Sequence, residues 1–435
     1  MLKETIRAAS FLLISAFFCS SLPAENWPGW RGPRGDGTSA EKNVPLRWSA
    51  EKNIAWKVRT VFAGHASPVV FGDFVFVVGA DLEKKNRMLV AIDRKTGRTL
   101  WEQVVLHAPL ETKHTLNSFA SSTPATDGKL IYVTFLEVGS RTIPARNVSR
   151  VRPVTPGRVV VAAYDFEGQQ KWRVKPGEFV SIHGFSSSPV LYQDMVIVNG
   201  DHDGKGYIVA LSRQTGKTLW KTSRENNTRS YCTPIIRRIG GRTQMMLSGS
   251  LSVASYDPND GSRHWVIEGP TEQFVASLIY HQGLLFLTCG YPERHVLAID
   301  PSGSGDVSNT HIRWRHYRKG VSYVPSPVAA GRFFYLSSDN GIGTCFDAAT
   351  GAIQWQERLG RHYSGSLIAT DRHVYYQDDG GTTQVVKVGP KFEVLAENRL
   401  DEAVYSSPAV SHGQIFVRAE DHLFCIGQDT ARAAR

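Results

Sequence analysis

Short apolar runs broken by glycine, proline and small polar residues recur along the chain, and the clearest of them sets how the others read. Around residues 91–101, AIDRKTGRTLW, the apolar side chains of Val90, Ile92 and Leu100 alternate as they do in half-buried strands. Between the two arms, Asp93 and Thr96 can hydrogen-bond the backbone of a turn, and Gly97 supplies the positive φ that the turn needs. The segment predicts a β-hairpin whose return strand carries Trp101.

The pattern returns as ALSRQTGKTLW at 210–220, CFDAATGAIQW at 345–355 and SYDPNDGSRHW at 255–265. A fifth copy at 162–172 is one residue out of step at its Asp, and a sixth, from Ala298, carries an insertion ahead of Trp314. A single hairpin leaves an indole and an apolar face uncovered, so each must stack on its neighbours. A period of roughly 40 to 50 residues then predicts a β-propeller. Each unit opens on a Ser-rich stretch, usually with proline, followed by two strands and the Asp-to-Trp hairpin; SPVVFGDFVFVVGAD, 67–81, is the inner half of the first. Units beginning at His65, Phe119, Phe185, Tyr231, Phe274, Tyr323, Tyr363 and Tyr405 make eight four-stranded antiparallel blades in an all-β fold.

Seven tryptophans, at 56, 101, 172, 220, 265, 314 and 355, hold the outer position, while blade seven, KFEVLAENRL, has lost its own. The last blade has three strands within 405–427, and NIAWKVRT, 53–60, supplies the fourth and closes the ring. The wide gap between Trp101 and Trp172 is assigned to loops, chiefly 137–158, with five arginines and three prolines.

The spacing Ala-x-Asp-x-x-Thr-Gly-x-x-x-Trp resembles the tryptophan-docking motif of pyrroloquinoline-quinone (PQQ) type propeller repeats. Those repeats occur in quinoprotein alcohol dehydrogenases and in the non-catalytic BamB-like scaffold of outer-membrane protein assembly. The resemblance covers nearly all of the chain after its leader, and the opening NWPGWRGPRGDGTS looks like the start of many secreted bacterial PQQ-like repeat proteins. Because the motif serves blade packing in catalytic and non-catalytic relatives alike, it specifies fold more than chemistry. It implies an exported binding or assembly scaffold of the bacterial envelope, or else a PQQ-dependent oxidoreductase. The second alternative implies an adjacent Cys-Cys pair against one face of the quinone, a tryptophan beneath it and carboxylates for calcium. The chain has no Cys-Cys pair and no C-x-x-C-H haem site, which places the scaffold first.

Residues 1–24 read as a secretory signal: Lys3 and Arg7, an apolar run, then small residues before Ala24. Export to the periplasm or the exterior follows, with 25–53 as an irregular extension packed on the propeller, 54–428 as the propeller and 429–435 as a tail. Cys19 falls in the leader; the other four cysteines lie in four different blades and read as buried thiols. A formal net charge of +10 on 435 residues would steer an exported protein toward anionic polymers or membrane surfaces. The other expected partners of a monomeric scaffold are an envelope protein, a peptide or a carbohydrate; nothing points to nucleic acid.

No nucleophile elbow or phosphate loop appears. In NGDHDGKG, 199–206, Asp201 and Asp203 offer two carboxylates to a cation, although a two-strand turn explains the same residues. The remaining constellation comes from the repeat itself. His65, Phe119, Phe185, Tyr231, Phe274, Tyr323, Tyr363 and Tyr405 occupy one equivalent position, which should circle one mouth of the central channel. They are either wedges between blades or a stacking platform for a sugar, peptide or planar ligand. Asp81, Asp203, Asp339, Asp378 and Asp379 are expected on the same face, and the Arg-rich stretch 141–158 is the rival binding site, acting by charge.

Overall fold

A computed structural model describes residues 24–147, 150–317 and 320–427; the proposed signal segment (but for its last residue) and the C-terminal tail lie outside them. Eight antiparallel sheets follow one another in sequence order, and innermost strands of neighbouring blades touch, those of blade one meeting both blade two and blade eight. Blade one is built of Val69–Phe71, Phe74–Asp81, Asn86–Asp93 and Thr99–His107. Its pleats alternate between two cores: Phe76, Val78, Leu89 and Ala91 face blade two, whereas Val75, Val77, Val90 and Ile92 face blade eight. Blade eight is Ala409–Ser411, Gln414–Arg418, His422–Ile426 and, as its outer strand, Ile54–Arg59, with Trp56 opposite Cys425. The two ends of the chain are thus joined in one sheet and no sheet edge is left between them.

The repeat glycine does more than the turn requires. Gly97 has φ +74°, and a Cβ there would also fall 2.8 Å from the Trp56 ring. Gly216 repeats this against Trp172 at 2.6 Å, so each turn is a seat for the preceding blade's indole. Each indole N–H then donates to a turn carbonyl: Trp56 to Arg94 at 2.8 Å, Trp101 to Phe166 at 2.7 Å, Trp172 to Arg213 at 2.8 Å, Trp220 to Pro258 at 3.1 Å and Trp314 to Ala348 at 2.9 Å. Trp355 reaches Gly389 O more loosely at 3.4 Å.

Two blades depart from the rule. The insertion ahead of Trp314 sends Gly305–Asp306 back along Arg263–Glu268 as a fifth, parallel strand of blade four, and Trp265 is sealed and bonded within its own blade to Gln244 Oε1 at 2.8 Å. In blade seven, Ala396 stands opposite Val385, where the other blades place their tryptophan. Trp48 of the N-terminal extension joins the core that contains Ala396, its ring stacked 6.4 Å from Tyr375. The missing indole is supplied from outside the repeat.

The stretch 137–158, expected as a loop, forms a β-hairpin of Ile143–Asn147 and Arg150–Val154 between the second and third strands of blade two. Ile143, Ala145 and Val154 give it an apolar side that packs on Val180 and Ile182. That local alternation was masked in sequence by its arginines and prolines. Cys232, Cys289 and Cys345 are buried free thiols, and Cys425 is buried as well.

Candidate functional site: a blind channel

Each innermost strand starts at the mouth of the channel and descends to the first turn of its blade. Residues 25–41 lie across that lower end. Trp27 bridges Val70 of blade one, Pro28 O accepts Thr126 N of blade two at 2.8 Å, Arg237 of blade four bonds Asp36 at 3.4 Å, and Ser39 N donates to Ala369 O of blade seven at 2.8 Å. The extension is therefore a plug. Trp30 lines the channel and its Nε1 donates to Ser277 Oγ of blade five at 2.9 Å. Arg31, 3% exposed, donates to the carbonyl oxygens of Leu367 (2.7 Å), Ser326 (3.4 Å), Asp36 and Pro327. Above Trp30 remains a cavity of about 180 Å3, open toward the mouth.

The eight equivalent rings divide. His65, Tyr231, Tyr323 and Tyr405 line the cavity. Phe119 is half-buried beneath the charges of Lys113 and Arg87, 5.2 and 5.6 Å from its centroid. Phe185 packs edge-on against Phe179 at 5.2 Å, and Phe274 and Tyr363 are fully buried in inter-blade cores. Wedge packing describes these last three, and the mouth is walled by fewer rings than the repeat offers. His114 and His183, which no repeat position marks, complete the wall. His183 sits 5.1 Å from His114 and 6.2 Å from Tyr231, while His65 faces Tyr405 at 4.9 Å.

Burial and nearby cations hold these imidazoles neutral. Burial, then Arg418, pushes His65 down to about 4; burial, then Arg229, pushes His183 down to about 3; burial and Lys113 lower His114. Arg152 of the hairpin acts on both His114 and His183, so the Arg-rich rival site and the aromatic mouth are neighbours on one face. Burial also pushes the Tyr323 hydroxyl up to about 12, and its O–H donates to Gln273 Oε1 at 2.9 Å.

None of the five expected aspartates lines the cavity. Asp81 and Asp378 cap their own turns, the first accepting Lys84 N at 2.9 Å and the second Thr382 N at 2.9 Å. Asp339 accepts Val324 N at 2.9 Å with Arg294 at 3.9 Å, Asp379 takes His362 at 2.6 Å and Ser364 N at 2.7 Å, and Asp203 pairs with Arg229. Asp201 is fully buried in a two-pronged pair with Arg224, Nε–Oδ1 2.9 Å and Nη2–Oδ2 3.2 Å. The two cation candidates are thus each matched by a separate arginine, a two-pronged fork at Asp201 and a bond to Oδ1 alone at Asp203, and share no site. Among the described residues no three His, Cys, Asp or Glu side chains gather as a metal cage.

One feature of the channel was passed over in sequence. The residue two, three or four positions after each ring, next to Pro or Leu, is always Ser or Thr: Ser67, Thr123, Ser188, Thr233, Ser277, Ser326, Ser366 and Ser407. These hydroxyls link blade to blade. Ser67 N donates to Thr123 Oγ1 (3.0 Å), Thr123 N to Ser188 Oγ (2.9 Å) and Ser188 N to Thr233 Oγ1 (3.1 Å). Ser277 N then donates to Ser326 Oγ (2.9 Å), Ser326 N to Ser366 Oγ (3.0 Å) and Ser366 N to Ser407 Oγ (2.8 Å). At Ser277 Oγ the donor is the Trp30 indole N–H. The eight-fold recurrence before Pro or Leu was the available signal.

The residues present do not fit a calcium-bound quinone. Trp30 could lie beneath a flat ring, but no lining residue carries a carboxylate or a thiol, and Cys232, beside Tyr231, is sealed in a core.

These features define a class: an eight-bladed propeller with tryptophan-docked blades, plugged at one end and open at the other. The chain belongs to the family of outer membrane protein assembly factor BamB, which matches residues 46–139, 136–357 and 342–432. BamB from Moraxella catarrhalis superposes with a TM-score of 0.59 at 12% identity, over 86% of this chain and 99% of that one. A europium-containing methanol dehydrogenase superposes at 0.61 and 12% identity, over 90% and 89%. A quinohemoprotein alcohol dehydrogenase from Pseudomonas putida gives 0.51 at 12% identity, over 92% and 80%. At such identity the solved structures share a fold with this chain. No curated protein matches it in sequence.

Proposed function

We propose that the protein is an exported, non-catalytic scaffold of the bacterial envelope that holds a partner at the open mouth of its channel. The observation that carries this reading is the character of the cavity: rings, hydroxyls and neutral imidazoles, with every nearby carboxylate engaged in a turn or an ion pair. Such a surface positions and stacks; it has no activated nucleophile, and no carboxylate free to work as a base. The family match supports it. Among the described residues no helix is long and apolar enough to cross a membrane.

The second reading, a PQQ-dependent oxidoreductase, is favoured by Trp30 alone, an indole at the floor where a flat cofactor could rest. Adding PQQ with calcium to the purified protein separates the two. The scaffold reading expects no quinone absorbance after desalting and no dye reduction with alcohols or sugars. Stoichiometric retention with turnover would replace it.

A further inference from the structure

Five of the interlocked hydroxyls, those of Ser188, Thr233, Ser326, Ser366 and Ser407, line the cavity, and all five residues are more than nine-tenths buried. Each oxygen accepts one backbone N–H from the neighbouring blade. A hydroxyl that accepts in this way still has its own O–H to donate. Among the described residues none of the five donates to a protein acceptor, so the wall of the channel presents a set of unused O–H donors. Burying donors without partners costs about 1–3 kcal/mol each, so they call for an acceptor from outside.

The charge beneath them has the same sign. Arg31 lies directly under blades six and seven, bonded to Ser326 O and Leu367 O, and all its partners are carbonyl oxygens. Its pKa, lowered by burial to about 10, leaves it a cation at neutral pH, and Asp36 is the carboxylate that acts on it. Lys113 and Arg152 stand at the mouth beside the histidines. The rim aspartates are matched by their own donors, as described above. Leu116 and Tyr291, 41% and 45% exposed, add apolar surface for whatever carries the acceptor in; Leu116 is itself part of the lining, and Tyr291 acts on Tyr323, which is too.

We propose that the channel is a carboxylate-binding cavity, in which the hydroxyls of blades three, four, six, seven and eight donate to the oxygens of an acid that enters past the tyrosines, with Arg31 supplying the opposite charge from below. This goes beyond the scaffold reading and rests on it only in taking the mouth as the working face. A carboxylate has room for about four hydrogen bonds, a number this wall can provide. The acid is the end of a partner chain or a small organic acid, and these share one chemistry.

The test uses the whole protein and calorimetric titration with three probes: an acetylated tripeptide Ala-Ala-Phe with a free C-terminus, the same peptide amidated, and phenylacetate. The free acid should bind at least about tenfold tighter than the amide, since hydrogen bonds to a charged group are the strong ones. Binding by phenylacetate as tight as by the acid peptide would assign the cavity to small acids; much weaker binding would assign it to chain ends. Ser366→Ala with Ser407→Ala should cut acid binding by a larger factor than amide binding and so lower the acid-to-amide ratio. If that variant proves misfolded by its unfolding midpoint, the acid-to-amide ratio of the unmodified protein decides alone. Equal affinity for acid and amide, or no binding by any probe, overturns the carboxylate cavity. Capture of an envelope partner that persists in that case leaves the scaffold reading standing.

Discussion

Gly216 joins two demands that sequence inspection separates. Its φ of +70° requires a residue without a Cβ, and a Cβ there would press within 2.6 Å of Trp172. Gly240, at φ +56°, has nothing within 4 Å of the same added atom. Gly240→Ala should therefore cost about 1 kcal/mol of backbone strain, whereas Gly216→Ala should cost about 2–4 kcal/mol, strain and overpacking together, in chemical denaturation. Equal losses would mean that the turn, and not the indole, sets the need for glycine. The tryptophans grade in the same way. Trp265, fully buried, should lose about 3–5 kcal/mol on change to Ala, and the half-buried Trp220 less.

At the scale of elements, the extension and the crossover into blade three do work that the repeat does not announce. Trp48 fills the place left by Ala396, so Trp48→Ala should destabilise the joint of blades seven and eight by about 3 kcal/mol, and hydrogen exchange should rise first in Thr382–Lys387 and Val394–Arg399. In the turn between the second and third strands of blade three, His202 Nδ1 accepts Gly204 N at 2.9 Å and, from the crossover, Val180 N at 3.2 Å, which leaves the proton on Nε2, facing Lys205 O at 3.1 Å. A second proton would displace two backbone donors. Burial accordingly pushes His202 down to about 4, with Lys221 opposing and Glu178 favouring protonation. Between pH about 6.5 and 4 the unfolded chain takes up a proton here that the folded one refuses. The stability from His202 is thus complete above 6.5 and declines as pH falls toward 4, by at most about 1.4 kcal/mol per pH unit. His65 and His183 add slopes of the same sign. His202→Asn should flatten the acid limb of the unfolding midpoint; an unchanged limb would remove His202 from this role.

The molecule as a whole shows how far a repeat can be read. Because each hairpin carries its own alternation, turn glycine and indole, blade number, ring closure and the outer tryptophans were visible one unit at a time. What depended on contacts between distant segments was not. Nothing local tells that Trp30 rises into the channel or that Trp48 serves blade seven, 348 residues away at Ala396. The ring of aromatics was legible as a position, but its division was not, since local loop geometry turns Tyr323 inward and Phe274 into a core. The hydroxyls were legible and overlooked. Loss of binding in high salt would not by itself separate mouth from hairpin, because the charge of Arg152 already acts on His183 in the channel wall.

The most direct measurement is capture of envelope proteins on the immobilised chain, compared with a Tyr323→Ala, Tyr405→Ala form of equal unfolding midpoint. Stacking contacts are worth about 0.5–1.5 kcal/mol each beyond burial, so partner affinity should fall on the order of tenfold to a hundredfold. Undiminished capture by the double variant would contradict the claim that the mouth is where this propeller works.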